Sequence, residues 1–142
     1  MTASTDLKHF GKTSAALALL LCAACMAVPG ARAADSADGA QCRALAQHML
    51  HALVRGDSKA AAHAFDTDMR TALPPAKLSE LWGEVQSNFG KYKAQSSARI
   101  LKVNGINVVI TPMQFTKTAL DAQVACNARG QIAGFFLRPD ST

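Results

Sequence analysis

From Ala37 to Phe89 apolar side chains recur three and four positions apart, and from Tyr92 to Leu137 they fall into short alternating runs. The first half therefore reads as helix and the second as strand. Cys42, Leu45, Ala46, Met49, Leu50 and Leu53 make one stripe about 140° wide on a helix from about Ala37 to Arg55, as a core-facing helix requires. Gly56-Asp57 ends it, and Asp57 or Ser58 caps a second helix over about Lys59–Met69 with Ala61, Ala62, Phe65 and Met69 on one side. Pro74-Pro75 stops the chain again, and Pro75 suits the first turn of a third helix running through Phe89. Leu78, Leu81, Trp82, Val85 and Phe89 share one face of that helix, opposite Glu80 and Glu84, and Gly90 supplies a left-handed stop.

Strands are expected over Tyr92–Ser96, Ala98–Val103, Ile106–Phe115, Thr118–Asn127 and Gln131–Leu137. Asn104-Gly105 is the strongest turn signal, because both central positions of a type I′ hairpin need positive φ. Pro112 cannot donate to a ladder, so it marks a bulge or an edge. Asn127-Ala128-Arg129-Gly130 forms the last turn. Helices followed by strands predict an α+β fold.

The strands are apolar on both sides. Ile106, Val108 and Ile110 face one way and Val109, Met113 and Phe115 the other; in the last strand Ile132 and Phe136 oppose Ala133, Phe135 and Leu137. Three helices cover one sheet face, so the second face lines a pocket, meets a partner or stays exposed. A homodimer through it is the simplest arrangement, and Trp82, Tyr92, Val109, Met113, Phe115 and Phe135 are the candidates for the pocket or partner surface.

Upstream, residues 1–33 read as a signal peptide. Lys8 and Lys12 precede an unbroken apolar run of 14 residues, Ala15–Val28, and Ala31-Arg32-Ala33 offers a cleavage site before Ala34. The run is too short to cross a bilayer core of roughly 30 Å. Lipid attachment at Cys25 wants an aliphatic residue three places before it, where this chain has Cys22, so a soluble periplasmic or secreted product is expected. Residues 34–142 then form one small domain, with no stable membrane span.

Setting aside Lys8, Lys12, Arg32 and Asp6 from the 15 basic and 10 acidic side chains leaves 12 and 9, a net of +3. No basic run or aromatic platform accompanies that excess, which argues against nucleic acid as a partner. Cys42 and Cys126 remain in the exported part. Cys126 shares a strand face with Leu120, Ala122 and Val124, and Cys42 lies on the first helix's apolar stripe, which favours a bridge between them; two buried free thiols are the alternative.

Chemistry is sparse. His48 and His51 have a metal-compatible spacing, but both lie far from the apolar stripe, His63 points outward, and no third ligand joins them, so no metal is expected. Gly11-Lys12-Thr13 lacks the upstream glycine of a phosphate loop and falls in the signal, so no cofactor is assigned. Asp66 and Asp68 belong to the end of the second helix and the turn after it. Asp121, on the strand face opposite Leu120 and Val124, is the first candidate for a general base, although an ordinary solvent-facing aspartate is the reading adopted.

The segments Leu53-Val54-Arg55-Gly56-Asp57, Ala61 to Phe65 and Met69, Leu73-Pro74, Leu78-x-x-Leu81-Trp82, Gly90-Lys91-Tyr92, the strand ending in Phe115, and Gly130-Gln131-Ile132-Ala133-Gly134-Phe135 resemble domain of unknown function 3887. That family lies in the nuclear-transport-factor-2-like (SnoaL-like) superfamily. The resemblance implies a cone: a curved antiparallel sheet wrapped over three helices around a cavity, found alone or ahead of secreted α/β-hydrolase domains. It implies no catalytic set. A non-enzymatic domain that binds a small apolar ligand or a protein partner is therefore expected. The alternatives are an isomerase or hydratase using Asp121, and an accessory module for a separate hydrolase. N-terminal sequencing of the exported product is expected to begin at Ala34; recovery of an uncut Met1 end overturns the export reading.

Overall fold

Gly90 divides the molecule as the patterning predicts. A computed structural model describes residues 37–140. It contains helices α1 (Ala37–Val54), α2 (Ser58–Ala61), α3 (Thr67–Ala72) and α4 (Pro75–Phe89), then strands β1 (Tyr92–Gln95), β2 (Arg99–Val103), β3 (Ile106–Phe115), β4 (Ala119–Cys126) and β5 (Ile132–Pro139). The signal segment and its cleavage site at Ala33 and Ala34 lie outside the described residues. The fold is α+β, with four helices against a five-stranded antiparallel sheet.

The second helix differs from expectation. Lys59–Met69 is not one helix, because the chain breaks after Ala61 and restarts at Thr67. Three interactions win over helical continuation. Ile132 N donates to Ala64 O at 2.8 Å, Asp66 N donates to Ile132 O at 2.9 Å, and Asp66 Oδ1 accepts from Met69 N at 2.8 Å as the N-cap of α3. Residues 64–66 thus act as a scrap of parallel strand beside β5, and Asp66 starts a helix where it was expected to end one. Asp57 caps α2 as predicted, accepting from Ala60 N at 3.0 Å.

Gly90 also departs from a simple left-handed cap. Its φ of +88° is paired with an extended ψ of 176°, which turns the chain straight into β1. A Cβ there would collide with Thr116 Oγ1, which accepts from Lys91 N at 3.1 Å. Both the dihedral and the close approach demand glycine.

The sheet grows from the β2–β3 hairpin. Asn104 and Gly105 take φ of 50° and 81°, and Val103 pairs with Ile106 across them. β2 and β1 then share one border of β3, in the overall order β1-β3-β4-β5. Gln95 pairs with Met113 but Arg99 with Ile110, so the β1–β2 side carries one extra residue around 96–98, and a second register shift follows between Tyr92 and Ala94. Bulges of this kind bend a strand. Pro112 sits opposite the gap: its carbonyl accepts from Ser96 N at 2.9 Å, so its missing donor falls where the ladder is already broken.

A third irregularity changes which residues face inward. Cys126 pairs with Ile132 but Ala125 with Gly134, leaving Ala133 as an extra residue in β5. The expected alternation put Ile132 and Phe136 on one face. The inserted residue flips the phase, so Ile132 is buried with the helices, together with the half-buried Phe135 and Leu137, and Phe136 faces away at 53% exposure.

The helices cover one sheet face. Met49, Leu50 and Leu53 of α1, Phe65, and Leu78 of α4 pack over Val109, Met113, Val124 and Ile132, all essentially inaccessible. Cys42 and Cys126 are bonded, with Cα atoms 5.9 Å apart and 84 residues of separation, which fixes α1 to β4. In the chain-entropy account a loop this long confers at most about 4.5 kcal/mol, by restricting the unfolded chain. The Cys42→Ala/Cys126→Ala variant is expected to lose a large part of that in urea unfolding. An unchanged midpoint would show that the bridge is not what stabilises this junction.

Candidate functional site

On the helix-covered face, the residues picked out as a pocket or partner surface mostly form core. Val109 and Met113 are fully buried, Phe115 is 4% and Trp82 7% exposed, and Tyr92 and Phe135 are half-buried against them. Trp82, Tyr92 and Phe115 form an aromatic trio, with ring centroids 6.3 Å (Trp82–Tyr92), 5.8 Å (Trp82–Phe115) and 6.1 Å (Tyr92–Phe115) apart. All are tilted or edge-on, the arrangement aromatic quadrupoles favour. Burial pushes the Tyr92 phenol above its ordinary pKa of 10.0, since phenolate loses hydration there. Thr111, between Val109 and Met113, is buried with no hydrogen-bond partner for its hydroxyl among the described residues.

The accessible apolar surface lies on the other face. Residues 101–106 are six consecutive exposed positions at the end of the β2–β3 hairpin. Leu101 (46%), Val103 (49%) and Ile106 (47%) point to the face that α1–α4 do not cover. Register carries the band across the sheet: Leu101 opposes Val108, Val108 opposes Ala125, and Ala125 opposes Gly134. The Phe136 ring lies over Gly134, its nearest carbon 3.2 Å from where a Cβ would stand.

Next to this band the face becomes charged. Asp121 opposes Pro112 on one side and Arg138 on the other. It is 1% exposed, which corrects the solvent-facing reading, and its carboxylate lies 3.6 Å from the Arg99 guanidinium. Arg138 rests over the Phe136 ring, 5.8 Å from the centroid. Sequence reasoning had the face of Asp121 right, but the register that sets two arginines beside it depends on bulges that leave no mark in composition.

The remaining candidates have structural surroundings. His48, His51 and His63 are exposed, and Gln95 Nε2 meets His51 Nε2 at 3.1 Å. Among the described residues no three His, Cys, Asp or Glu side chains are grouped to hold a metal ion. Asp66 caps α3 and also accepts from Asn127 Nδ2 at 3.3 Å. Two clefts bracket the sheet. A polar one of about 390 Å³ lies among Asp38, Gln41, Lys102, Asn107 and Arg129 at the hairpin end. An apolar one of about 360 Å³ lies between α4 and β5.

A family model described as a protein of unknown function (DUF3887) matches residues 46–135, more than half of the chain. No curated protein and no solved structure matches.

Because the folded pKa of Tyr92 exceeds its unfolded value, the stability its neutral phenol contributes is complete below about pH 10 and is lost as pH rises through the folded value. Tyr92 is the only tyrosine, so phenolate absorbance reports it alone. Its titration is expected above that of a free tyrosine, and Tyr92→Phe should flatten the alkaline fall in thermal midpoint. A titration at the free value would remove the phenol from the core.

Proposed function

This chain belongs to the DUF3887 family, and we propose that it is an exported, non-enzymatic binding domain working as a homodimer through the sheet face its helices leave bare. The observation that carries this reading is the apolar band from Leu101, Val103 and Ile106 across Val108, Ala125 and Gly134 to Phe136. It crosses β2, β3, β4 and β5, is uncharged along its length, and has small residues in the middle with bulky ones at both borders. A second copy turned about a two-fold axis can set its hairpin aliphatics over that shallow middle, so one surface serves both partners. Two sheets packed this way stack about 10 Å apart and bury the exposed aliphatics of both.

We read the architecture as the cone of the nuclear-transport-factor-2-like superfamily, supported by the single helical layer and the bulges that bend β1–β2 and β5. Export to the periplasm or the medium is supported by the N-terminal pattern and by the Cys42–Cys126 bridge. No helix among the described residues is long and apolar enough to cross a membrane. A catalytic Asp121 receives less support, because its carboxylate is beside Arg99 and lines neither cleft described above.

Light scattering coupled to gel filtration is expected to give twice the chain mass for the exported protein at high micromolar concentration. Leu101→Asp/Ile106→Asp should give the monomer mass while keeping the wild-type far-ultraviolet circular dichroism, since both positions are half in water within one protomer. A wild-type monomer overturns the homodimer and assigns the band to a different protein, such as a separately encoded hydrolase.

A further inference from the structure

We infer that the cleft between α4 and β5 binds a free amphiphile made of an apolar tail and a single carboxylate head. The apolar stripe of α4 outlasts its cover. Trp82 and Val85 are buried, but Leu81 is half-buried and Phe89 is 37% exposed, because β5 ends the strand order and, among the described residues, no further strand pairs with it beyond the Phe65–Ile132 bridge. Phe135, Phe136 and Leu137 of β5 line it opposite α4. The open cleft's volume of about 360 Å³ falls in the range of small-molecule sites.

One charge lines this cleft, and it is Arg138. Among the described residues no carboxylate forms an ion pair with it. Its register neighbour Asp121 is engaged by Arg99 at 3.6 Å, and Glu80 and Glu84 of α4 line a different cleft with Lys77. Resting 5.8 Å from the Phe136 ring centroid, the exposed guanidinium borders the cleft. An apolar trough ending in one planar cation matches an alkyl monocarboxylate, which a guanidinium grips through two parallel hydrogen bonds. A neutral alcohol of the same length gains only the trough, and an alkylammonium meets like charge.

Isothermal titration calorimetry of the exported protein with decanoate, decanol and decyltrimethylammonium, all below their micellar range, tests this without any variant. Saturable decanoate binding, one per chain and at least ten-fold tighter than either comparison molecule, is expected. Arg138→Gln should abolish that preference while leaving decanol binding in place, and Leu81→Glu should weaken decanoate at least ten-fold. Equal affinity for decanoate and decanol in the wild type, an unaffected Arg138→Gln, or partition into anionic vesicles without free decanoate binding each overturns the inference. Leu101→Asp/Ile106→Asp should retain decanoate binding as a monomer, so failure of the dimer and failure of the ligand site are separate results.

Discussion

Val109, Met113 and Phe115 alternate along β3 with Ile106, Val108 and Ile110, while in β4 Leu120, Ala122 and Val124 share the inner face. A single helical layer can remove only one side of β3 from water. α1 and α4 take the side of Val109 and Met113, where they also bury Trp82 and Phe65. At roughly 25 cal/mol for each Å² of apolar surface buried, this layer dominates folding, and its cost is a second side on which Ile110 is buried but Leu101, Val103, Ile106 and Phe136 stay exposed. The accessible chemistry follows from that asymmetry: the aliphatic hairpin end, the exposed Arg99 beside the buried Asp121, and the open flank of α4.

Irregularities place the functional residues within this plan. Residue 133 in β5 converts a regular alternation into one that buries Ile132 and turns Phe136 outward. The surplus around 96–98 lets Pro112 sit inside a long strand without an orphaned partner, and sets Arg99 within reach of Asp121. The break at 62–66 gives up part of a helix for two backbone bonds to Ile132 and a carboxylate cap. In each case one inserted or diverted residue decides which side chains meet.

Much of the fold was legible because period and punctuation agree. The α1 stripe, the Pro75 start, the Asn104-Gly105 turn and the bounds of β3 needed nothing beyond spacing and turn chemistry. The pairing of Cys42 with Cys126 followed from each lying on an inward face. What escaped depends on tertiary contacts. Nothing in the spacing of Ala61, Ala62, Phe65 and Met69 announces that Ala64 and Asp66 will bond to a strand far along the chain. Which of two apolar β3 faces the helices would choose was open for the same reason, and Trp82, Val109, Met113 and Phe115 proved to be core. The proximity of Arg99 and Arg138 to Asp121 required the strand register itself.

The scrap of parallel strand at Phe65 has a bearing on how the protein behaves when concentrated. Strand borders with free amide groups invite further chains to add on, one after another. Here β5 begins beneath the Phe65 bridge and finishes at Pro139, which has no N–H to offer. The opposite border is cut in two between Gln95 and Arg99. The Phe65 bridge and Pro139 shorten one rim and the gap at 96–98 interrupts the other, so the same contacts that shape the sheet leave less free edge for a further chain to extend.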